Sequence, residues 1–221
     1  MDDVREQIAR IPWFAALDEA VRAELIRRGR LEQRSGGEWL YGEGDEKTGL
    51  VAVLEGGLYL HSEAPGGQEV LVSRLSKGGV LGQSIAFGGG PRLLTAICAV
   101  DSRLFLLSDR ALREAAGAHP TLWMSLSALL YEQLGEAVRT VAEFVALKPR
   151  QRMISRLLSM AAFDNTVAIP QSVLAEIVGV RRNAVHAWLA ELEEAGEIRR
   201  DYGRIRVLDP KALQRRLHRD A

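Results

Sequence analysis

Residues 169 to 198, IPQSVLAEIVGVRRNAVHAWLAELEEAGEI, constrain the fold of this chain more than any other stretch. Counting Gln171 as position one puts Ala175 at five, Gly179 at nine and Val185 at fifteen, with apolar Leu174, Val178, Val180 and Trp188 between them. This is helix-turn-helix spacing. A small residue at 175 lets two helices approach, Gly179 supplies the backbone freedom of a sharp turn, and the apolar residues fill the wedge between the helices. Arg182, Asn183 and His186 are three and four residues apart and share one stripe of the second helix. Such a stripe can enter a major groove, where Arg pairs with guanine and Asn with adenine through two hydrogen bonds. An ordinary pair of core helices with a solvated arginine face is the plain alternative.

The segment immediately downstream weighs against that alternative. Residues 197 to 209, EIRRDYGRIRVLD, alternate apolar Ile198, Ile205 and Val207 with basic neighbours around Tyr202-Gly203, the pattern of a β-hairpin. A hairpin after the second helix is a wing. Its Arg199, Arg200, Arg204 and Arg206 are candidates for phosphate contacts, which position a protein on DNA without reading sequence. The zero net charge hides an asymmetry: from Lys148 onward there are 14 Lys and Arg against 9 Asp and Glu, and residues 1 to 147 are acidic by the same margin. Only the C-terminal part has an electrostatic reason to approach DNA.

Residues 2 to 28 read as one or two short amphipathic helices broken at Pro12, with Ile8, Ile11, Phe14, Leu17, Val21, Leu25 and Ile26 as the buried stripe. From Leu31 to Leu107 short alternating runs are separated by Gly-rich turns, which predicts an antiparallel barrel or roll. A helix is expected from Ser108 to Ala118, and a long one from Pro120 to Leu147. In the long helix Trp123, Ser127, Leu130, Leu134, Ala137, Val141 and Phe144 repeat by four and three as a heptad seam. Leu122, Leu126, Leu129, Val138 and Val145 form a second apolar strip beside it. One strip can face the chain's own core and the other a second copy, so a homodimer is expected. Pro149 predicts a break at Lys148 to Arg150, followed by a helix from Arg152 to Ala162. The resulting α+β plan is a sensor roll over 1–117, a dimerisation helix over 118–147 and a winged helix-turn-helix over 148–221.

Several function classes lose support. A single cysteine, Cys98, forms no intramolecular disulfide and cannot hold an iron-sulfur cluster alone. It lies between Ile97 and Ala99, where cysteine behaves as a small hydrophobe. A haem would need axial ligands, and outside the DNA-binding part the histidines are His61 and His119, read as surface residues. No apolar run reaches membrane-spanning or signal length, so a soluble cytoplasmic protein is expected. No paired carboxylates, metal-ligand cluster or nucleophile-base constellation suggests an enzyme.

A Gly-rich roll, a long helix and a winged helix-turn-helix, in that order, resemble the cyclic AMP receptor protein and fumarate-nitrate regulator family of transcription factors. The resemblance is carried by LAEIVGVRRNAVHAWLAELEEAGEI and GRIRVLDPKAL at the C-terminal end, and by YGEGD, LEGGLYL, and GGPR followed by DSRL in the roll. It implies a dimer on an imperfect palindrome of double-stranded DNA, a roll that senses a signal, and RNA polymerase as a further partner. A signalling module that binds a cyclic nucleotide and works through protein contacts is the competing reading, and the basic wing has no purpose in it.

Departures from the family pattern are informative. The cAMP-binding branch carries Gly-Glu and then Pro-Arg-Ser/Thr-Ala, with the Glu on a ribose hydroxyl and the Arg on the cyclic phosphate. This chain has Gly82-Gln83-Ser84 and then Pro91-Arg92-Leu93-Leu94, and it places Ala137-Val138 where adenine-reading members have Thr-Ser. Each buried polar partner left unpaired costs roughly 1 to 3 kcal/mol, so cAMP is not the expected effector. Arg92 then either meets another anion or caps nearby carbonyls. At the second helix Arg181 stands where members carry a capping Ser, Pro170 replaces the Thr or Ser of the preceding helix, and Ala187 replaces a later Arg. Arg182 is expected to read a base, Arg181 to favour phosphate, and Asn183 and His186 to shift the preferred sequence.

Overall fold

A computed structural model describes residues 2–46, 49–82, 90–201 and 203–219. The chain opens with three helices, α1 (Asp2–Ala9), α2 (Pro12–Ala15) and α3 (Glu19–Arg28). The roll follows as β1 (Arg30–Arg34), β2 (Trp39–Tyr41), β3 (Gly49–Glu55), β4 (Gly57–Ala64), β5 (Gln68–Ser76), β6 (Val80–Leu81), β7 (Thr95–Cys98) and β8 (Ser102–Ser108). Next come α4 (Asp109–Ala118), the long α5 (Thr121–Ala146) and α6 (Pro149–Met160). The chain ends with β9 (Thr166–Val167), α7 (Gln171–Val178), α8 (Arg182–Glu194), β10 (Ile198–Asp201), β11 (Arg204–Val207) and α9 (Pro210–Arg219).

The roll is two antiparallel sheets, ordered β1-β8-β3-β6 and β2-β7-β4-β5. Alternation in β3 and β8 sends Val51, Val53 and Leu104 between the sheets, against Leu58, Leu60, Ala96 and Cys98. Leu50, Ala52, Leu54, Phe105 and Leu107 point the other way, into a core shared with α1 to α5. Phe14 meets Phe105 edge to face at 5.8 Å between ring centres. Leu122, Leu126 and Leu129 of α5 are buried in this core, each contributing roughly 1.5 to 3 kcal/mol by leaving water. Trp13 Nε1 donates to Ser125 O at 2.9 Å, and Gln133 Nε2 donates to Val80 O at 2.8 Å.

The chain gathers into two compact units, residues 1–135 and 136–221, and the division falls inside α5. Within the second unit Arg156 of α6 is buried at 6% exposure. Its Nη2 donates to Glu143 at 2.5 Å and to Thr140 Oγ1 at 2.9 Å, and its Nη1 lies 3.5 Å from Glu136. Ser155 and Ser159 add hydrogen bonds to Glu143 and Glu136. The C-terminal half of α5 is therefore fastened to α6 by one buried guanidinium and its carboxylates.

The elements depart from the sequence reading in four places. The N-terminal segment makes three helices rather than one or two: Pro12 begins α2 at a position where its missing N–H costs nothing, and a second break at residues 16–18 separates α2 from α3, whose N-cap is Asp18. Pro149 likewise begins α6, which starts there and not at Arg152, with the Lys148 N–H donating to Gln151 Oε1 at 3.1 Å. The two-residue β9 is too short for a periodicity to reveal; it pairs with β11 and makes the wing three-stranded. Trp123, read on the seam, packs against the roll core.

Candidate nucleic-acid interface and effector cavity

Helix α7 ends at Gly179, whose left-handed backbone (φ 75°, ψ 40°) turns the chain within one residue. The Val180 N–H reaches back to Ala175 O at 2.9 Å, closing the helix end. Leu174, Ala175, Val178 and Val185 are buried as the spacing predicts, whereas Val180 and Trp188 of the expected wedge are only half-buried and Leu189 and Leu192 fill the core of α8 instead. Arg181, Arg182, Asn183 and His186 are all exposed. Arg181 is the N-cap of α8 and its side chain accepts nothing from the first turn. The free N–H groups and dipole of that turn favour a phosphate oxygen. His186 Nδ1 lies 3.2 Å from Gln171 Oε1, across the angle between the two helices.

Strand register sorts the wing arginines. Arg199 lies opposite Arg206, Arg200 opposite Ile205 and Asp201 opposite Arg204. Arg199, Arg204 and Arg206 thus share the exposed face, whereas Arg200 shares the inward face with Ile198. Like charges directly opposite each other destabilise a ladder, and a phosphate held between Arg199 and Arg206 would relieve that repulsion. Arg200 is spent on its own protein: its backbone N–H and its Nε each donate to the Glu193 carboxylate at 2.7 Å. The backbone hydrogen bond and then the guanidinium hold the Glu193 carboxyl below the usual carboxylate range. Arg200 therefore fastens the wing to α8, and the guanidiniums presented outward are the other three.

Helix α5 bears exposed apolar residues from Leu130 onward: Leu130, Leu134, Val138, Val141, Phe144 and Val145 range from 41% to 84% exposed. Ala137 is exposed as well. Phe144 is partly engaged, since the Arg152 guanidinium stacks 4.7 Å from its ring centre.

In the roll a cavity of about 130 Å³ is lined by Tyr41, Leu81, Gly82, Arg92, Leu93, Leu94, Leu130 and Gln133. Arg92 is buried, its guanidinium carbon 4.0 Å from the Tyr41 ring centre. Its Nη1 donates to Gly82 O at 3.2 Å, and its Nε has no hydrogen-bond partner among the described residues. Gly82 has φ +97°, and a Cβ there would fall 2.2 Å from Arg92 Nη1, so only glycine allows this packing. Burial lowers the proton affinity of Arg92, opposed by Tyr41, Asp109 and Asp45, and raises the Tyr41 phenol to about 12.

Of the other effector candidates, Leu93 lines the cavity yet is 77% exposed. Ala137 and Val138 belong to the second unit. Gln83 and Ser84 lie outside the described residues. The sequence reading missed Gln133 and the ring of Tyr41, although Tyr41 sits in the YGEGD motif. Cys98 is 1% exposed, and burial pushes its thiol up. His61 meets Glu69 at 3.3 Å. Among the described residues no helix is long and apolar enough to cross a membrane.

The fold and these surfaces define an antiparallel β-roll joined by a long helix to a winged helix-turn-helix. Residues 31–119 match the cyclic nucleotide-binding domain, and residues 151–216 match the Crp-like helix-turn-helix domain. The chain belongs to the Crp/Fnr family of transcription regulators. It is 24% identical over 225 residues to the CRP-like cAMP-activated global transcriptional regulator of Mycobacterium tuberculosis, covering 98% of this chain and 99% of that protein. It is 29% identical over 170 residues to the transcriptional regulator SdrP of Thermus thermophilus, covering 73% of this chain and 80% of SdrP. Among solved structures, FixK2 from Bradyrhizobium japonicum superimposes with a TM-score of 0.74 at 18% identity, covering 85% of this chain and 96% of that one.

Proposed function

We propose that this regulator works as a homodimer on an imperfect palindrome of double-stranded DNA, with α8 of each copy reading bases. The carrying observation is the exposed stripe of Arg182, Asn183 and His186 beside an uncapped helix start. Arg181, Arg199, Arg204 and Arg206 would hold flanking phosphates. The exposed apolar strip of α5, from Leu130 through Leu134 and Val141, is the surface a second copy would cover. RNA polymerase is the protein partner this reading expects.

The signal would be something other than cAMP. Gln83 and Leu93 stand where the cAMP pattern has a carboxylate and a hydroxyl, and Ala137-Val138 where it has Thr-Ser. Arg92, the one phosphate-pairing residue kept from the cAMP pattern, is engaged by Gly82 O and the Tyr41 ring. Titration calorimetry with cAMP is expected to give no saturable heat at micromolar concentrations. Tight binding, or DNA affinity that rises sharply with cAMP, would contradict the reading.

A further inference from the structure

We infer that Gln171 sets base specificity at a distance, by locking the His186 imidazole in one tautomer. The inference rests on the reading of α8 as the base-reading helix. Gln171 is the first residue of α7 and His186 lies on the exposed face of α8, so the 3.2 Å contact from Oε1 to Nδ1 joins the two helices where they open toward solvent. An amide oxygen only accepts. With the amide oxygen facing the ring, Nδ1 carries the hydrogen, and in the neutral ring Nε2 is left as a bare acceptor.

That acceptor stands one turn beyond Arg182, on the same stripe as Asn183. Arg182 has donors alone and suits the acceptor edge of guanine; His186 Nε2 suits the opposite chemistry. In the major groove the amino donors are cytosine N4 and adenine N6. His186 is thus assigned to a base that offers an amino group, and Gln171 is the positioning residue that keeps it so. Without Gln171 the ring can turn over and place N–H toward the groove, where it would favour guanine instead.

The test is selection from randomised duplex by the full-length protein, its Gln171→Ala form and its His186→Ala form, with nitrogen-proton NMR of the imidazole in the first two. Wild type is expected to select cytosine or adenine at one position of each half-site and to show Nδ1–H on His186. Gln171→Ala should lower that single preference about fivefold, the worth of one neutral hydrogen bond, and give mixed tautomers. Its preference at the Arg182 position and its affinity for random duplex should not move, which a merely structural role for Gln171 would not allow. If His186→Ala changes the selected site and Gln171→Ala does not, His186 reads a base but the inference is wrong. If His186→Ala selects the wild-type site, the base reading by His186 fails, and the inference with it.

Discussion

The wild type is expected to sediment as a dimer, and a chain in which Leu134 and Val141 both become glutamate as a monomer at the same concentrations. The two residues are 59% and 64% exposed on α5, one heptad apart. Apolar side chains at that spacing are costly to leave in water and suit a facing helix. Each buried Leu or Val contributes roughly 1.5 to 3 kcal/mol, and a two-fold axis counts each twice. Glutamate removes that burial and sets like charges against each other, so association should weaken by on the order of 5 kcal/mol. At about 1.4 kcal/mol per tenfold, that exceeds a thousandfold. Sedimentation velocity reads the result, and an undiminished dimer would place the interface elsewhere.

Arg156→Ala should damage the second unit from within. One guanidinium, 6% exposed, holds Glu143, Thr140 and Glu136 of α5 against α6. A charge-assisted hydrogen bond is worth roughly 1.5 to 3 kcal/mol, and breaking a buried pair costs about 3 to 5. Glu136 keeps 43% side-chain exposure and Glu143 keeps 21%, so water can recover part of the loss. A destabilisation of about 3 kcal/mol is expected, within the range for a broken buried pair. Denaturant unfolding followed by hydrogen exchange should show it in residues 136–221 and leave the roll core protected. Arg156→Lys should recover only part, because an ammonium cannot span carboxylates on either side as a planar guanidinium does. A loss below about 1 kcal/mol, the level of a surface pair, would mean that the cluster contributes little.

Legibility in the sequence depended on how local each constraint is. Ala175, Gly179 and Val185 could be read because helix packing demands a small residue, a left-handed turn and an apolar wedge at fixed offsets. The N-terminal stripe from Ile8 to Leu25 and the Gly-punctuated strands were visible for the same reason, and α5 lies within a residue of its expected span at each end. Long-range pairing was not visible. Whether a wing arginine faces outward depends on register, so Arg200 and Arg204 read alike in the sequence and do different things in the fold. The heptad run passes through Gly135 and Glu136 without interruption, yet Leu122, Leu126 and Leu129 enter the roll core while Glu136, Thr140 and Glu143 hold Arg156. Gln171 and His186 meet across a gap of 15 residues that no periodicity marks. Arg92 could be read as anion binder or carbonyl cap, and the structure places it against the Gly82 carbonyl.

Selection of binding sites from randomised duplex, carried out in parallel with the wild type and with Arg182→Ala, tests the central claim most directly. A dimer that reads bases with α8 should select an imperfect palindrome whose half-sites lie in successive major grooves, about 34 Å apart. Arg182→Ala should lose the preference for guanine at one symmetric position, at roughly 1 to 3 kcal/mol per half-site, and keep the remainder of the site. Identical selected sites from the two proteins would contradict the account, because α8 would then not be the element that reads the sequence.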